Sequence, residues 1–268
     1  MELKQRRVRH EILRDVRRVV LSDPERDNCL GSALLAELGE ALRLADADPG
    51  CRLIVLAADG NTFCSGLDLQ EAFSQPEPPM ELFRAFADCL LRIARTRKPV
   101  LSVVQGRAAG GGLGLAAAAD IVIATEGAEM SLPEVIAGMI PALVAPVLLR
   151  RVPAGRIRAM ALGARPIGGA EALAIGLVDE VVSTEELGPA LRRQVGRLTR
   201  SSPDAIARTK SYLDWLGDHP LETSLDRALA ELSSWLRQPH IREGARAFAD
   251  GFSPPWFSRQ EVSRTCPG

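Results

Sequence analysis

The chain is poor in the side chains that most often carry metal or redox chemistry. Its 268 residues include only three histidines, His10, His219 and His240. None has a His, Cys or Asp partner at ligand spacing, so no metal site is expected. His240 follows Pro239 near the start of a late helix and reads as a surface residue. Five cysteines, Cys29, Cys51, Cys64, Cys89 and Cys266, are scattered without a pattern. An odd number and a large apolar core argue against a disulfide framework and for reduced thiols in a cytoplasm. Long apolar runs are missing too. The longest, Val135 to Leu149, contains Pro141 and Pro146 and falls short of the roughly 18 residues of a membrane span. The N-terminal Met1-Glu2-Leu3-Lys4-Gln5-Arg6-Arg7 leads into no apolar segment, so no secretory signal is expected. A net charge of −1 supplies no basic field for nucleic acid or an anionic membrane. Lysine is scarce beside arginine, which reads as coding bias.

What the chain does have is a dense, ordered block from Lys98 to Glu134. Val100 to Val104 is apolar and β-branched between Pro99 and Gly106, the pattern of a buried strand. Gly110-Gly111-Gly112 follows, where the backbone can turn sharply and be approached closely. Leu113 to Ala119 then propagates a helix. A second strand covers Asp120 to Ala124, and Ser131-Leu132-Pro133-Glu134 ends the block on a lone acid. Three readings fit the glycines. They form a tight packing turn, or a loose dinucleotide fingerprint (Gly112, Gly114, Ala117, then Glu134), or an oxyanion hole. The fingerprint fits least, because the helix is short and the second strand does not end on Glu134. The oxyanion hole has a physical basis. The first N–H groups of a helix lack internal partners and point outward at its positive end.

A second block settles the preference. Asn61-Thr62-Phe63-Cys64-Ser65-Gly66-Leu67-Asp68-Leu69 combines a strand, a phenylalanine and a small-x-Gly-x-Asp turn. Together, in this order and spacing, the two blocks resemble the crotonase (enoyl-CoA hydratase/isomerase) superfamily, over about residues 15–200. The resemblance implies an α/β fold with a ββα spiral core over 1–195. It also implies a C-terminal α-helical region over 196–268 that joins subunits into a trimer or hexamer.

The resemblance also implies roles. Leu67 N–H and Gly111 N–H correspond to the family's oxyanion donors, and Glu134 to its catalytic acid. Cys64, Gly66, Asp68 and Gly110 form the surrounding substrate-binding turns. The hydratases carry a further acid three residues after the middle glycine; here that residue is Gly114. Separate deprotonation of water and protonation of carbon needs two carboxylates, whereas one can move a proton between neighbouring atoms of one substrate. Two branches fit a single acid: Δ3,Δ2-enoyl-CoA isomerases and the dehydratase of polyketide β-branching. The second resembles more of the chain, through Gly-Gly-Leu-Gly, Gly138-Met139-Ile140-Pro141-Ala142, Leu148-Leu149-Arg150-Arg151 and the C-terminal Pro-Trp region. The expected substrate is a 3-hydroxy-3-methylglutaryl phosphopantetheine thioester, on acyl carrier protein or coenzyme A, with no cofactor. Arg84, Arg92 and Arg107 are candidate cations for its distal carboxylate. A non-catalytic binding protein on the same fold is the remaining alternative.

Elsewhere the periodicity predicts further elements. Val19-Val20-Leu21 ends an edge or half-buried strand. Leu34, Leu35, Leu38, Leu42 and Ala45 form a helix face with Ser32 as its cap. Arg52 to Ala57 is a buried strand, and Pro76-Glu77-Pro78-Pro79 a loop. Phe83, Phe86, Leu90 and Ile93 line one helix face. Helices are expected over Ala142 to Arg151, Arg156 to Leu162 and Gly169 to Ile175, then a strand over Gly176 to Val182. Four amphipathic helices close the chain, followed by the apolar Phe252 to Phe257 pinned on a surface. No internal repeat is apparent.

Overall fold

The computed structural model describes residues 6–77, 79–216 and 219–257. Pro78 and Cys266 lie outside them. The chain divides into two compact units, 1–192 and 193–268.

The first unit begins with a hairpin, β1 (Val8–Leu13) and β2 (Val16–Leu21), which turns through Arg14 at φ 56°. Helix α1 (Ser32–Ala47) then buries Leu34, Leu35, Leu38, Leu42 and Ala45, the face the leucine spacing predicts. Next come β3 (Leu53–Ala58), β4 (Thr62–Cys64), α2 (Leu69–Ala72) and α3 (Met80–Arg95). They are followed by β5 (Val100–Val104), β6 (Arg107–Ala109), α4 (Gly111–Ala117), β7 (Ile121–Thr125) and β8 (Glu129–Ser131). The unit continues with α5 (Ala145–Leu148), α6 (Ala154–Gly163), β9 (Ile167–Gly168), α7 (Gly169–Ala174) and β10 (Glu180–Val182).

The strands fall into two sheets, a six-stranded one ordered β1-β2-β3-β5-β7-β10 and a four-stranded one ordered β4-β6-β8-β9. Each successive pair, β3/β4, β5/β6 and β7/β8, sends a longer strand to the first sheet and a three-residue strand to the second. The α/β arrangement of ββα turns is therefore present as expected, and so is the C-terminal helical region. The turns share geometry rather than residues, which is why no sequence repeat is apparent.

Several elements differ from expectation. Strand β2 is interior, paired to β1 on one side and β3 on the other. Its polar Arg17 is buried because the guanidinium is neutralised by Asp48 and also donates to Arg14 O at 2.6 Å. Ser32 is not a side-chain cap. Gly31 occupies that position, and Ser32 N–H donates to Glu71 Oε1 at 3.0 Å. On α3 the buried stripe is Leu82, Phe86, Cys89, Leu90 and Ile93, with Phe83 only half-buried. The helix expected over Ala142 to Arg151 shortens to α5, with turns on either side of it; Pro141 lies ahead of it and Pro146 in its first turn, where no N–H bond is lost. The last strand shortens to β10, although Leu177 and Val178 ahead of it are buried.

Helix α8 (Leu187–Arg200) runs into the second unit, which continues with α9 (Pro203–Leu216), α10 (Leu221–Trp235) and α11 (Pro239–Ala249). Arg227 stacks over the Trp215 ring at 4.2 Å. Of the apolar tail, Phe252 stays exposed. Trp256 packs on Gly244 of α11 so closely that a Cβ there would overlap its ring.

Helix α4 is held against β4 by a contact that only glycine allows. A Cβ on Gly112 would overlap Cys64 O and lie 2.7 Å from Cys64 Cβ. Cys64 is fully buried and cannot yield without moving β4. Gly112→Ala should therefore lower unfolding free energy by roughly 3 kcal/mol in a denaturant titration. A loss within a few tenths of the wild-type value would show that the helix can shift freely.

Candidate active site

The four-stranded sheet positions the candidate residues. β4, β6 and β8 are neighbours and run parallel, with Cys64 beside Ala108 and Ala109 beside Ser131. Parallel strands end on the same side, so the segments that follow them emerge together. Those segments are Ser65-Gly66-Leu67, Gly110-Gly111 and Leu132-Pro133-Glu134. Each carries one of the three principal residues singled out by sequence.

The first turn is fixed by a bridge to the chain before α1. Leu30 N–H donates to Gly66 O at 2.8 Å, and Leu30 O accepts from Asp68 N–H at 3.2 Å. In this parallel pattern the residue between, Leu67, directs its own N–H away from Leu30. Gly66 has φ +101° and rests on the second turn, where a Cβ would lie 2.9 Å from Ala109 O and 3.5 Å from Gly111 N.

The second turn is the start of α4. Gly110 has φ +50°, and its N–H donates to Ser131 O at 3.0 Å, tying it to β8. The first bond of the helix runs from Gly114 N–H to Gly110 O at 3.0 Å, so Gly111 N–H precedes the helical ladder. Among the described residues neither Leu67 N–H nor Gly111 N–H donates a hydrogen bond within the chain. Two touching turns that each carry an N–H without a partner, Gly111's at a buried helix start, can offer donors to an anionic oxygen. Sequence reading missed the support beneath them. Leu30 Cδ1 and Phe86 Cζ would lie 2.9 and 3.3 Å from a Cβ on Gly111.

Glu134 opens a short 3-10 turn over Glu134–Ala137 behind Pro133. Its carboxylate returns to the glycine turn, with Oε1 3.2 Å from the position of a Cβ on Gly110. Its Oε2 is buried and has no hydrogen-bond partner. Burial pushes its pKa up, opposed in part by the residue's own N–H. A carboxylate held in this state is a stronger base than a solvated one.

The outer residues have structural duties. Asp68 caps α2 by accepting from Glu71 N–H at 3.1 Å and pairs with Arg26. Burial raises the pKa of Asp68, but the N–H bonds and Arg26 outweigh it, and the net shift is downward. The Asp68-x-x-Glu71 spacing, an N-terminal capping signal, could have revealed this role. Cys64 is fully buried and its thiol is pushed up to about 12, so it is a packing residue rather than a nucleophile. Arg84, Arg92 and Arg107 are all exposed. No cluster of His, Cys, Asp and Glu among the described residues could hold a metal, and no helix there is long and apolar enough to cross a membrane. A cavity of about 480 Å³ in the second unit, lined by Arg237, Pro239, Arg242, Glu243 and Arg246, contains none of these candidate residues.

Residues 11–259 match the family model for enoyl-CoA hydratase/isomerase. The chain belongs to the enoyl-CoA hydratase/isomerase family. A carnitinyl-CoA dehydratase of Escherichia coli O157:H7 is 31% identical over 243 residues, covering 88% of this chain and 93% of the relative. A Thermus thermophilus protein named, provisionally, an enoyl-CoA hydratase is 32% identical, covering 89% of this chain and 96% of the relative. Among solved structures, an enoyl-CoA hydratase/isomerase from Marinobacter aquaeolei superposes with a TM-score of 0.86 at 30% identity, covering 93% of this chain and 98% of that one. These relatives identify an enzyme of this family.

The state of Glu134 has a pH signature. Its folded pKa lies above the ordinary 4.5, so the folded state holds the proton more tightly than the unfolded one. Stability is unpenalised below about pH 4.5 and falls as pH rises through the raised folded value. Glu134→Gln, which cannot ionise, should be more stable than wild type above that window and equal to it below. Paired thermal melts across pH check this. A variant less stable at neutral pH would show that the carboxylate is satisfied in the fold.

Proposed function

We propose that the protein is a dehydratase of acyl thioesters that works with a single carboxylate. Its substrate is 3-hydroxy-3-methylglutaryl thioester on an acyl carrier protein, and its product the 3-methylglutaconyl thioester, a step of polyketide β-branching. The observation that carries the reading is the lone Glu134 beside the glycine turn, with Gly114 where the family's hydratases have their second acid. Dehydratases among the relatives support the direction of reaction.

Leu67 and Gly111 N–H groups receive the thioester oxygen. Glu134, as the carboxylate, takes the α-proton, and the electron pair moves onto the carbonyl as an enolate. The two donors stabilise that negative charge, each worth about 3–4 kcal/mol. Collapse of the enolate forms the α,β double bond and breaks the β-carbon–oxygen bond. Glu134 returns its proton to the departing hydroxide, so water leaves and the carboxylate is regenerated. No prosthetic group enters the cycle. The phosphopantetheine arm is common to carrier protein and coenzyme A, so either can present the thioester. The same single acid also suits a Δ3,Δ2-enoyl-CoA isomerase, which moves one proton from the α- to the γ-carbon.

The second unit supports assembly. Leu221, Leu225, Leu229, Leu232 and Leu236 recur along α10 and its C-terminal cap, and all are exposed in the single chain. A homotrimer, or a hexamer built from trimers, would cover such a face. Light scattering at micromolar concentration should give a trimer or hexamer mass; a stable monomer would contradict this.

Two thioesters separate the chemical readings. The protein should release water from the hydroxymethylglutaryl thioester and leave a 3-enoyl thioester unchanged, as followed by mass and ultraviolet absorbance. A double-bond shift in the second substrate alone would establish the isomerase. Glu134→Gln should lower the rate by roughly 10²–10⁴ with substrate binding retained. Full activity in that variant would remove the mechanism in both readings.

A further inference from the structure

Gly114 faces neither solvent nor open space. A Cβ placed on it would lie 3.2 Å from Val144 Cγ2, 3.4 Å from Val144 Cγ1 and 3.5 Å from Phe86 Cζ. Both neighbours are buried, Val144 at 3% exposure and Phe86 at 0%. They approach from two directions. Phe86 comes from α3, and Val144 from the turn that caps α5. A side chain at 114 therefore starts against Val144, which would have to give by a few tenths of an ångström for the Cβ alone. The three atoms nearest that Cβ are all side-chain carbons.

We propose that Val144, backed by Phe86, is a specificity-determining residue that fills the volume a second carboxylate would need and confines the site to single-carboxylate chemistry. The missing acid is then a property of the packing around 114 as well as of the residue there. Phe86 is constrained twice, because it also supports Gly111, where a Cβ would lie 3.3 Å from its Cζ. Withdrawing Phe86 would loosen the donor turn. Val144 carries no such second duty among the nearest contacts of the glycine turn, so it is the residue whose size can change without moving that turn. The inference rests on the single-carboxylate reading of the site.

The test uses the full chain and four variants: Gly114→Glu, Val144→Ala, the double variant, and the double variant carrying Glu134→Gln. Gly114→Glu alone should lower the melting midpoint by roughly 5 °C or more and hydrate crotonyl-coenzyme A no faster than wild type. In the double variant the two melting losses should sum to more than the observed loss, since the alanine makes room for the glutamate. That variant should hydrate crotonyl-coenzyme A about 10-fold or more faster than wild type. Adding Glu134→Gln should abolish the gain, because water addition then lacks one of its two acids. The proposal is overturned if Gly114→Glu melts as wild type or gains hydration without the second change. It is also overturned if the melting losses simply add, if the folded double variant stays at the wild-type rate, or if the gain survives Glu134→Gln. Melting couples positions 114 and 144 whatever the native substrate is. Failure of wild type to dehydrate the hydroxymethylglutaryl thioester would instead count against the functional reading alone.

Discussion

Parallel pairing of three short strands is the constraint on which the site depends. β4, β6 and β8 contribute three residues each, too few to form an independent sheet. They persist because each is the continuation of a longer strand anchored in the large sheet, where β3, β5 and β7 are almost wholly buried. The large sheet supplies the stability, and the small one converts it into position. With Cys64 beside Ala108 and Ala109 beside Ser131, the following segments are delivered side by side. The bond from Gly110 N–H to Ser131 O ties the donor turn directly to the strand that leads to Glu134.

This arrangement separates what must be a particular residue from what need not be. The proposed donors are backbone groups, so Leu67 would serve through its N–H, while its side chain packs against the core. Gly112 and Gly114 are constrained by neighbours rather than by torsion, through Cys64 on one side and Val144 with Phe86 on the other. Of the three proposed site residues, Glu134 alone would act by its functional group. Its unpartnered Oε2 and raised pKa are costs to folding, and such costs are tolerated where a group has work to do on a substrate.

Much of this was legible in the residues. The apolar β-branched runs located β3, β5 and β7, and leucine spacing located α1, because burial on one face leaves a period in the sequence. The two glycine blocks located the two turns that the small sheet brings together. Packing between distant segments was not legible. Nothing near Arg17 announces Asp48 as its partner, and so β2 reads as an edge strand when it is interior. Ser32 looks like a cap because the competing acceptor, Glu71, arrives from 39 residues away. The occupants of the space around Gly114 come from α3 and from the chain beyond Glu134, which spacing alone cannot bring together.

Asp68 shows how one residue can hold a turn of the candidate site in place. Its carboxylate accepts from Glu71 N–H and pairs with Arg26, so it fixes α2, while its own N–H is held by Leu30 O. Glu71 in turn accepts from Ser32 N–H, which joins α2 to the start of α1. Leu30 completes the loop, since it bonds both Gly66 and Asp68 and lies under Gly111. The Leu67 N–H is thus aimed by a closed ring of contacts through residues 26–32 and 66–71. A turn defined by its glycine alone would leave that N–H free to rotate. The ring makes its direction a consequence of the fold, which is what a preorganised donor requires.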